Sequence, residues 1–144
     1  MIYTEMTNKA MVLAYEAHQG QYDKSGIPYV FHPFHLAEQM DTEEAVTAAL
    51  LHDVAEDTDY TLEDLRSMGF PDAVTDALAL LTHDPSVPYL EYVERLKSNP
   101  IARSVKLADL THNSDLSRLP VVTEKGLERV EKYRKAIKLL KQGE

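Results

Sequence analysis

The chain has 144 residues, of which 44% are hydrophobic, with no cysteine and a formal net charge of −9 at pH 7. The negative charge argues against an extended nucleic-acid-binding surface and against attraction to anionic membranes. Without cysteine, disulfides are excluded, and any metal must be bound by imidazole and carboxylate groups. The length and the apolar content predict one domain over residues 1–144 with a single core.

The N-terminal part of the chain predicts a helix and then a loop. Apolar residues at helical spacing predict a first helix from Thr4 to His18, mainly a core element. The first residues lack the features of a signal peptide, and no run of about 18 apolar residues occurs, so we expect a cytoplasmic protein. The polar segment 20–29 contains two glycines and Pro28, which indicate a structured loop of a kind that often carries function.

A second helix is predicted to begin at His32-Pro33, because proline is favoured in the first turn of a helix. His32 at this position is a candidate metal ligand, and His18 and His35 compete with it for that role. A lone histidine before a helix is also typical of a cap or of a partly buried spacer. The residues of this segment alone leave these alternatives open.

The third predicted helix carries the densest group of ionisable side chains in the chain. It is predicted to begin at the N-cap Asp41, with Glu44 as the third helical residue, and to continue through an apolar run that ends at Leu51. At about 100° per residue, the four ionisable side chains that come next project from one side of the helix. They are His52, Asp53, Glu56 and Asp57.

These four residues have both a catalytic and a purely structural interpretation. Adjacent His52 and Asp53 are a mixed nitrogen and oxygen donor pair for a divalent cation, and Glu56 one turn later is well placed to move a proton beside it. The alternative is the solvent-exposed end of an ordinary helix. Acidic residues near a helix C-terminus oppose the helix dipole, so Glu56 and Asp57 are poorly explained as stabilising features. This favours a catalytic helix.

The remaining segments predict further helices separated by short polar breaks. They are expected at 61–69 with Thr61 as N-cap, at 71–82, at 89–98, from Asn99-Pro100 onward, and at 123–142. In the last of these, the residues expected to face inward are Leu127, Val130, Ile137 and Leu140. Because no internal repeat or strand-like alternation occurs, the sequence predicts an all-α bundle of about seven or eight helices.

A second concentration of polar side chains lies in the helix after Asn99-Pro100. Lys106, Asp109 and Asn113 stand at i, i+3 and i+7 and therefore share one face. A carboxylate in a largely apolar stretch destabilises the fold by several kcal/mol if it is buried without a partner. Asp109 is therefore expected either to pair with Lys106 or to bind a metal.

Three segments of the chain occur in the order found in a known enzyme family. They are Gly20-Gln21 through Pro28-Tyr29-Val30-Phe31-His32-Pro33, His52-Asp53-Val54-Ala55-Glu56-Asp57-Thr58, and Val105-Lys106-Leu107-Ala108-Asp109 followed by Asn113. On these motifs the chain resembles the HD-domain phosphohydrolases and, within them, the hydrolase domain of RelA/SpoT proteins and their small stand-alone relatives. The resemblance covers most of the chain and implies the all-α HD-domain fold.

The resemblance implies a role for each residue that matches the motifs. The residues implied to bind one manganese ion, with iron, zinc or cobalt as alternatives, are His32, His52, Asp53 and Asp109. The residues implied to position and protonate groups around the attacked phosphate are Glu56 and Asp57. The residues implied to bind the substrate are Lys24, Ser25, Lys106 and Asn113.

The reaction that the resemblance implies is hydrolysis of the ester between the ribose 3′ oxygen and a pyrophosphate. Guanosine tetra- or pentaphosphate would give GDP or GTP and pyrophosphate, and the expected partner is this small nucleotide. A synthetase domain would need many more residues, so hydrolysis alone is expected. The alternatives are another nucleotide phosphate ester as substrate, or a non-catalytic metal- or nucleotide-binding regulatory module. The sequence gives no expectation for the oligomeric state.

Asp23 departs from the family pattern, because many alarmone hydrolases carry an arginine at this point of the loop. A carboxylate that faced the phosphates would repel them by about 1–4 kcal/mol at roughly 4 Å, depending on screening by water. If Asp23 is unpaired and faces the pocket, pyrophosphate-bearing ligands are expected to bind weakly.

Overall fold

The computed structural model describes residues 1–142, so 143 and 144 of the predicted domain lie outside the described residues. Within this range the chain forms eight α-helices and one short 3-10 helix, with no strand beyond an isolated bridge between Tyr22 and Pro28. The all-α prediction is confirmed. The helices are α1 Glu5–Ala17, α2 Phe31–Glu38, α3 Glu43–Asp57, α4 Leu62–Ser67, α5 Asp72–Leu81, α6 Tyr89–Leu96, α7 Pro100–Asn113 and α8 Glu124–Lys141, and the 3-10 helix is Leu116–Arg118.

Helix α3 is the central helix of the bundle, and α1, α2, α5 and α7 pack against it. All ten residues from Ala45 to Val54 are buried, so α3 is enclosed on every side over most of its length. A helix that is apolar all round must lie in a core rather than at a surface. This burial carries His52 and Asp53, near the C-terminal end of α3, into the interior of the molecule.

The predicted helix starts agree with the structure to within a residue or two. Thr61 and Asp64 form the capping box at the start of α4, with each side chain accepting a hydrogen bond from the other's backbone nitrogen at 3.0 and 2.9 Å. The predicted N-cap of α3 was wrong by one position, because Thr42 rather than Asp41 has extended backbone angles and accepts from Ala45 N at 3.1 Å. Both residue types are good caps, and only the backbone decides between them.

Helix α8 packs against α6 and α7, which closes one side of the bundle. Val130 and Leu140 are buried as predicted, but Leu127 is 52% exposed, so the prediction that it faces inward was wrong. The first turns of α8 form the wall of a cavity and do not pack on the core. In the part of the chain that the structure describes, no helix is long and apolar enough to cross a membrane.

The loop between α1 and α2 is ordered by its own backbone hydrogen bonds, as the sequence predicted. Asp23 N donates to Ile27 O, and Tyr29 N donates to Gln21 O, both at 2.9 Å. The turn between these contacts passes through Gly26, whose φ of +77° favours glycine over residues with a Cβ. The loop thereby places Tyr29 and then His32 against α3.

Candidate metal centre and substrate cavity

A cluster of two imidazoles and two carboxylates lies where α2, α3 and α7 meet. His32 Nε2 is 2.8 Å from Asp109 Oδ1 and 4.0 Å from Asp53 Oδ2. His52 Nε2 is 3.1 Å from Asp53 Oδ2 and 3.8 Å from Asp109 Oδ1. All four residues are buried, and one donor atom from each of His32, His52 and Asp109 lies within 4.8 Å of the other two. The structure thus brings together the four residues that the resemblance implied.

The orientation of His52 shows that the cluster fits a cation. Its Nδ1 lies 2.7 Å from the carbonyl oxygen of Ala49, one turn earlier in α3, and a carbonyl can only accept, so Nδ1 carries the hydrogen. In the neutral ring Nε2 then presents its lone pair to the centre of the cluster. This Nε2 is buried without a hydrogen-bond partner. A buried lone pair surrounded by carboxylate oxygens is the environment that a divalent metal satisfies.

Neighbouring donors hold both carboxylates in place. Tyr29 donates its hydroxyl hydrogen to Asp53 Oδ2 at 2.7 Å. Lys106 donates to Asp109 Oδ2 at 3.2 Å, and Asn113 donates to Asp109 Oδ1 at 3.1 Å. The Lys106–Asp109 pair that the sequence left open is therefore present, and Asp109 belongs to the cluster as well. Such outer contacts orient metal ligands and tune their basicity.

The charges of the cluster favour a cation at its centre. Burial alone would raise the pKa of Asp109, but His32, His52 and Lys106 hold it well below its ordinary range. Burial alone would lower the pKa of His52, but the carboxylates of Asp53 and Asp109 raise it well above its ordinary value. The ionised carboxylates of Asp53 and Asp109 thus draw positive charge to the centre of the cluster, and a divalent cation bound there would take the place of the proton on the His52 ring.

His112 contacts the cluster from its outer side, although no sequence motif singled it out as a site residue. Its Nδ1 lies 2.7 Å from Nδ1 of His32, and the two ring planes are nearly parallel, with centroids 5.0 Å apart. Burial, together with Arg118 and the His32 and His35 rings, lowers the pKa of His112 to about 4. His35 stacks on His112 from the exposed side, while His18 is buried beside Tyr29, and neither is among the residues described as clustered donors.

Glu56 and Asp57 lie at the end of α3, one turn beyond His52 and Asp53. Glu56 Oε1 is 3.4 Å from the backbone nitrogen of His83, in the connection between α5 and α6. Burial raises the pKa of Glu56, and the Asp53 and Asp57 carboxylates add to the increase against the effects of His83 and Lys106. Burial and the Asp53 carboxylate also raise the pKa of Asp57. A carboxyl group with a raised pKa is better matched to proton transfer near neutral pH.

A cavity of about 350 Å³ opens beside His32 between the α1–α2 loop and α8. Its lining includes the cationic and hydrogen-bonding side chains of Lys24, Ser25, Asn113, Arg118, Arg129 and Tyr133, together with the carboxylates of Asp23 and Asp115. Three of these, Lys24, Ser25 and Asn113, are substrate residues implied by the resemblance. The volume is at the lower end of the range for ligand pockets, and the positive side chains suit a phosphorylated ligand.

A smaller chamber of about 160 Å³ lies on the other side of Asn113 and Tyr133, which line both spaces. Its walls include Glu56, Asp109, Lys106 and Lys132. The Lys132 ammonium lies 4.2 Å above the centre of the Tyr89 ring, and Lys106 lies 5.3 Å from that of Tyr92. Lys106, the fourth implied substrate residue, therefore faces this chamber and not the larger cavity.

The family of the chain follows from comparison with known proteins. The HD-domain family model matches residues 10–99. This chain belongs to the HD-domain family. The guanosine-3′,5′-bis(diphosphate) 3′-pyrophosphohydrolase MESH1 of Homo sapiens is 38% identical over 112 residues, which cover 69% of this chain and 62% of MESH1. The bifunctional (p)ppGpp synthase/hydrolase SpoT of Escherichia coli K12 is 32% identical over 120 residues, or 73% of this chain and 17% of SpoT.

A solved structure also resembles this HD-domain chain. It is a metazoan ortholog of SpoT that hydrolyzes ppGpp, with a TM-score of 0.78 and 27% identity, and the match covers 99% of this chain and 89% of that one. The fold of the chain is therefore the HD-domain fold. The chain spans 62% of MESH1 and 17% of SpoT, less than two thirds of the length of either protein.

The structure corrects the expectation for Asp23 in the HD-domain loop. Asp23 Oδ1 accepts hydrogen bonds from Ser25 N at 2.8 Å and Ile27 N at 3.0 Å, and Oδ2 lies 3.8 Å from Arg118. Asp23 lines the cavity, but it is not the unpaired carboxylate on which the expected repulsion of phosphate depended. Arg118 offsets the charge of Asp23, and the hydrogen bonds that Asp23 accepts hold the turn of the loop.

Residues that the sequence analysis missed in this HD-domain site come mainly from its C-terminal part. Arg118 lies in the 3-10 helix, and Arg129 and Tyr133 lie on α8. Arg129 and Tyr133 are four positions apart, so they share a helix face, and this spacing was a signal that could have identified them. No comparable local pattern marks Arg118 or His112, which reach the site through contacts with distant segments.

Proposed function

We propose that this HD-domain chain is a metal-dependent phosphohydrolase that removes the 3′-pyrophosphate of guanosine tetra- or pentaphosphate. One observation carries the proposal: the buried cluster of His32, His52, Asp53 and Asp109 adjoins both Glu56 and cavities lined by cationic side chains. The activities named for MESH1 and SpoT support the choice of substrate.

The metal we propose is manganese, with His32, His52, Asp53 and Asp109 as its ligands. A divalent ion in such a site supplies Lewis-acid activation of the phosphoryl group and of the attacking water. Imidazole and carboxylate donors without sulfur suit manganese, and they also accept iron, zinc or cobalt. The four proposed ligands are presented by three helices of a closed core, α2, α3 and α7, so the site is preorganised.

Hydrolysis requires one proton transfer, for which Glu56 is the proposed residue. Water forms a new bond to phosphorus while the bond from phosphorus to the ribose 3′ oxygen breaks, and a proton passes from the water to that oxygen. The raised pKa of Glu56 suits a group that takes up and releases this proton. Asp57, next to Glu56 at the end of α3, is proposed to orient the water.

The larger cavity is the proposed site of the nucleoside and its 5′-phosphates. The chain as a whole has a net charge of −9 and would repel an anionic nucleotide. Local positive charge in the cavity comes from Lys24, Arg118 and Arg129. The Tyr133 ring is available to stack on a base, and the Ser25 hydroxyl is available to a phosphate or sugar oxygen. Asn113, which lines both spaces, is proposed to contact the ribose between them.

The smaller chamber is the proposed site of the 3′-pyrophosphate. Lys106 is held by Asp109 beside the cluster, and Lys132 approaches from α8 on the opposite wall. Two ammonium groups around one small space would offset the charge of a pyrophosphate next to Glu56.

The test of this function is hydrolysis by the purified chain of a panel of nucleotides. Protein stripped with chelator and reloaded with Mn²⁺ should convert guanosine tetraphosphate into equal amounts of GDP and pyrophosphate, and metal-free protein should not. Glu63→Gln, in the exposed first turn of α4, is the control for Glu56→Gln, and only Glu56→Gln should lose activity. Binding without hydrolysis of any nucleotide would instead identify a regulatory module, and a preference for another ester would change the substrate.

A further inference from the structure

Among the described hydrogen bonds, only one reaches Nδ1 of His32, and its partner is Nδ1 of His112. The two Nδ1 atoms lie 2.7 Å apart, a distance that requires one hydrogen between them. His32 itself is 6% exposed, so water has little access to this nitrogen. The ring planes are only 11° apart and the centroids are 5.0 Å apart, so the two nearly coplanar rings meet edge to edge through these nitrogens.

The direction of this hydrogen bond follows from the position of the other His32 nitrogen. His32 Nε2 lies 2.8 Å from Asp109 Oδ1 and belongs to the clustered donors. When Nε2 gives its lone pair to a cation, the neutral ring must carry its hydrogen on Nδ1. His112 Nδ1 must then be the acceptor, because a second hydrogen at this distance would clash with the first.

The two histidine ligands are therefore fixed by different kinds of partner. His52 donates to a backbone carbonyl, that of Ala49, which no substitution removes. His32 depends on the side chain of His112, three residues after the ligand Asp109 on α7. The last turn of α7 is held in turn by Arg118, which donates to the carbonyl oxygen of His112 at 2.8 Å.

We infer that His112 is a positioning residue that sets the tautomer and orientation of His32 and thereby the affinity of the centre for its divalent cation. This inference rests on the metal site of the proposed function. His112 touches neither the reacting atoms nor the donors at the centre of the cluster, and it acts through His32 alone. Partners of this kind typically change metal affinity about 10–100-fold when they are removed.

The test compares two side chains of nearly equal shape at position 112. In His112→Asn the amide oxygen takes the place of Nδ1 and can accept the hydrogen bond, whereas in His112→Leu nothing can. The Kd for Mn²⁺ is measured by titration calorimetry on chelator-stripped full-length chain, without nucleotide. We expect His112→Leu to bind about 10–100-fold more weakly than wild type and His112→Asn to recover most of this loss.

Two further variants separate positioning from packing. His112→Phe keeps an aromatic ring but has no acceptor, so it should behave like His112→Leu. His35→Phe changes the neighbouring exposed ring, which has no hydrogen bond to His32, and should leave the Kd unchanged. Thermal unfolding of the metal-free forms checks folding, and if His112→Phe does not fold, the comparison of asparagine with leucine decides alone.

The outcomes distinguish this inference from the proposed function. Equal Kd values for the leucine and asparagine variants, or a wild-type Kd in His112→Leu, would overturn the role of His112 while leaving the metal site intact. Wild-type protein that binds Mn²⁺ but hydrolyses no nucleotide would overturn the hydrolase proposal only. Wild-type protein that binds no Mn²⁺ would overturn both.

Discussion

The carboxylate of Asp23 lies 3.8 Å from the guanidinium of Arg118 at the wall of the larger cavity. Asp23→Asn keeps an oxygen that can accept from the Ser25 and Ile27 backbone nitrogens, but it removes the charge that occupies Arg118. We expect the KM for guanosine tetraphosphate to fall by up to about fivefold at low salt, the usual scale of a partly exposed ion pair. Salt should reduce the difference. An unchanged KM, or the same decrease in an Arg118→Gln background, would contradict this account.

The metal content of the purified chain should depend on the ligands and not on the neighbouring carboxylate. Gentle purification should yield about one transition-metal ion per chain by elemental analysis. Asp53→Ala or His52→Ala removes a donor from the cluster and should lose the ion, because three remaining donors bind a divalent cation more weakly than four. Asp57→Asn is the matched control and should retain it. One metal ion per chain in Asp53→Ala would contradict the assignment of Asp53 as a ligand.

The role of Glu56 can be separated from metal binding. Glu56→Gln preserves the shape of the side chain and an oxygen for the His83 backbone nitrogen but cannot transfer a proton. We expect kcat to fall by roughly 10²–10⁴-fold with the metal content unchanged. Steady-state kinetics on protein of known manganese content provides the measurement, and undiminished turnover would remove Glu56 from the mechanism.

The raised pKa of Glu56 also predicts how the same variant changes stability with pH. Because the folded-state pKa lies above the ordinary value of 4.5, ionisation of Glu56 is less favourable in the folded chain than in the unfolded chain. The protonated form of Glu56 therefore adds to the free energy of unfolding, and this contribution is fully present below pH 4.5 and is lost as the pH rises through the folded-state pKa. In metal-free protein, Glu56→Gln should therefore have a higher Tm than wild type at pH 7, and the two should converge below pH 4.5. A constant difference across this range would contradict the assignment.

The start of α3 gives a prediction about stability alone. Thr42 accepts the hydrogen bond of Ala45 N, whereas neighbouring Asp41 makes no described contact with the helix start. Thr42→Ala should lower the free energy of unfolding by about 1 kcal/mol, the usual value of an N-cap. Asp41→Ala should change it by less than about 0.5 kcal/mol. Urea unfolding measures the loss of stability in both variants. A larger loss in Asp41→Ala than in Thr42→Ala would contradict the assignment of Thr42 as the N-cap.

These results show which parts of the fold could be predicted from the sequence. Helix type and approximate extent follow from local periodicity and capping residues, as in the capping box of Thr61 and Asp64. The N-cap of α3 was displaced because Asp41 and Thr42 are both suitable caps and the choice depends on the path of the preceding chain. The prediction that Leu127 faces inward failed for a related reason. An amphipathic pattern shows that a helix has an apolar face, but it does not show how much of that face the neighbouring helices cover.

The site residues that could be predicted from the sequence are those that lie within the motif segments. The four clustered residues and Glu56 lie within segments whose order resembles a known family, so their association did not have to be derived from spacing alone. His112 and Arg118 belong to no such segment. Their partners His32 and Asp23 are 80 and 95 positions away, and contacts over such separations are set by helix packing. The pairing of Asp23, which the sequence left open, also depends on that packing.

The contact of the α1–α2 loop with the 3-10 helix has a consequence for local unfolding. Ser25 donates its hydroxyl hydrogen to the carbonyl oxygen of Arg118, and with the Asp23–Arg118 pair this joins segments that are 93 or more positions apart. The cavity wall thus depends on a few contacts between exposed elements, whereas His32, His52, Asp53 and Asp109 lie on helices that pack in the core. Segments with few buried contacts open at lower free energy than the whole domain. The larger cavity can therefore open while His32, His52, Asp53 and Asp109 stay assembled, and under the proposed function the release of substrate and the loss of metal would be thermodynamically separate events.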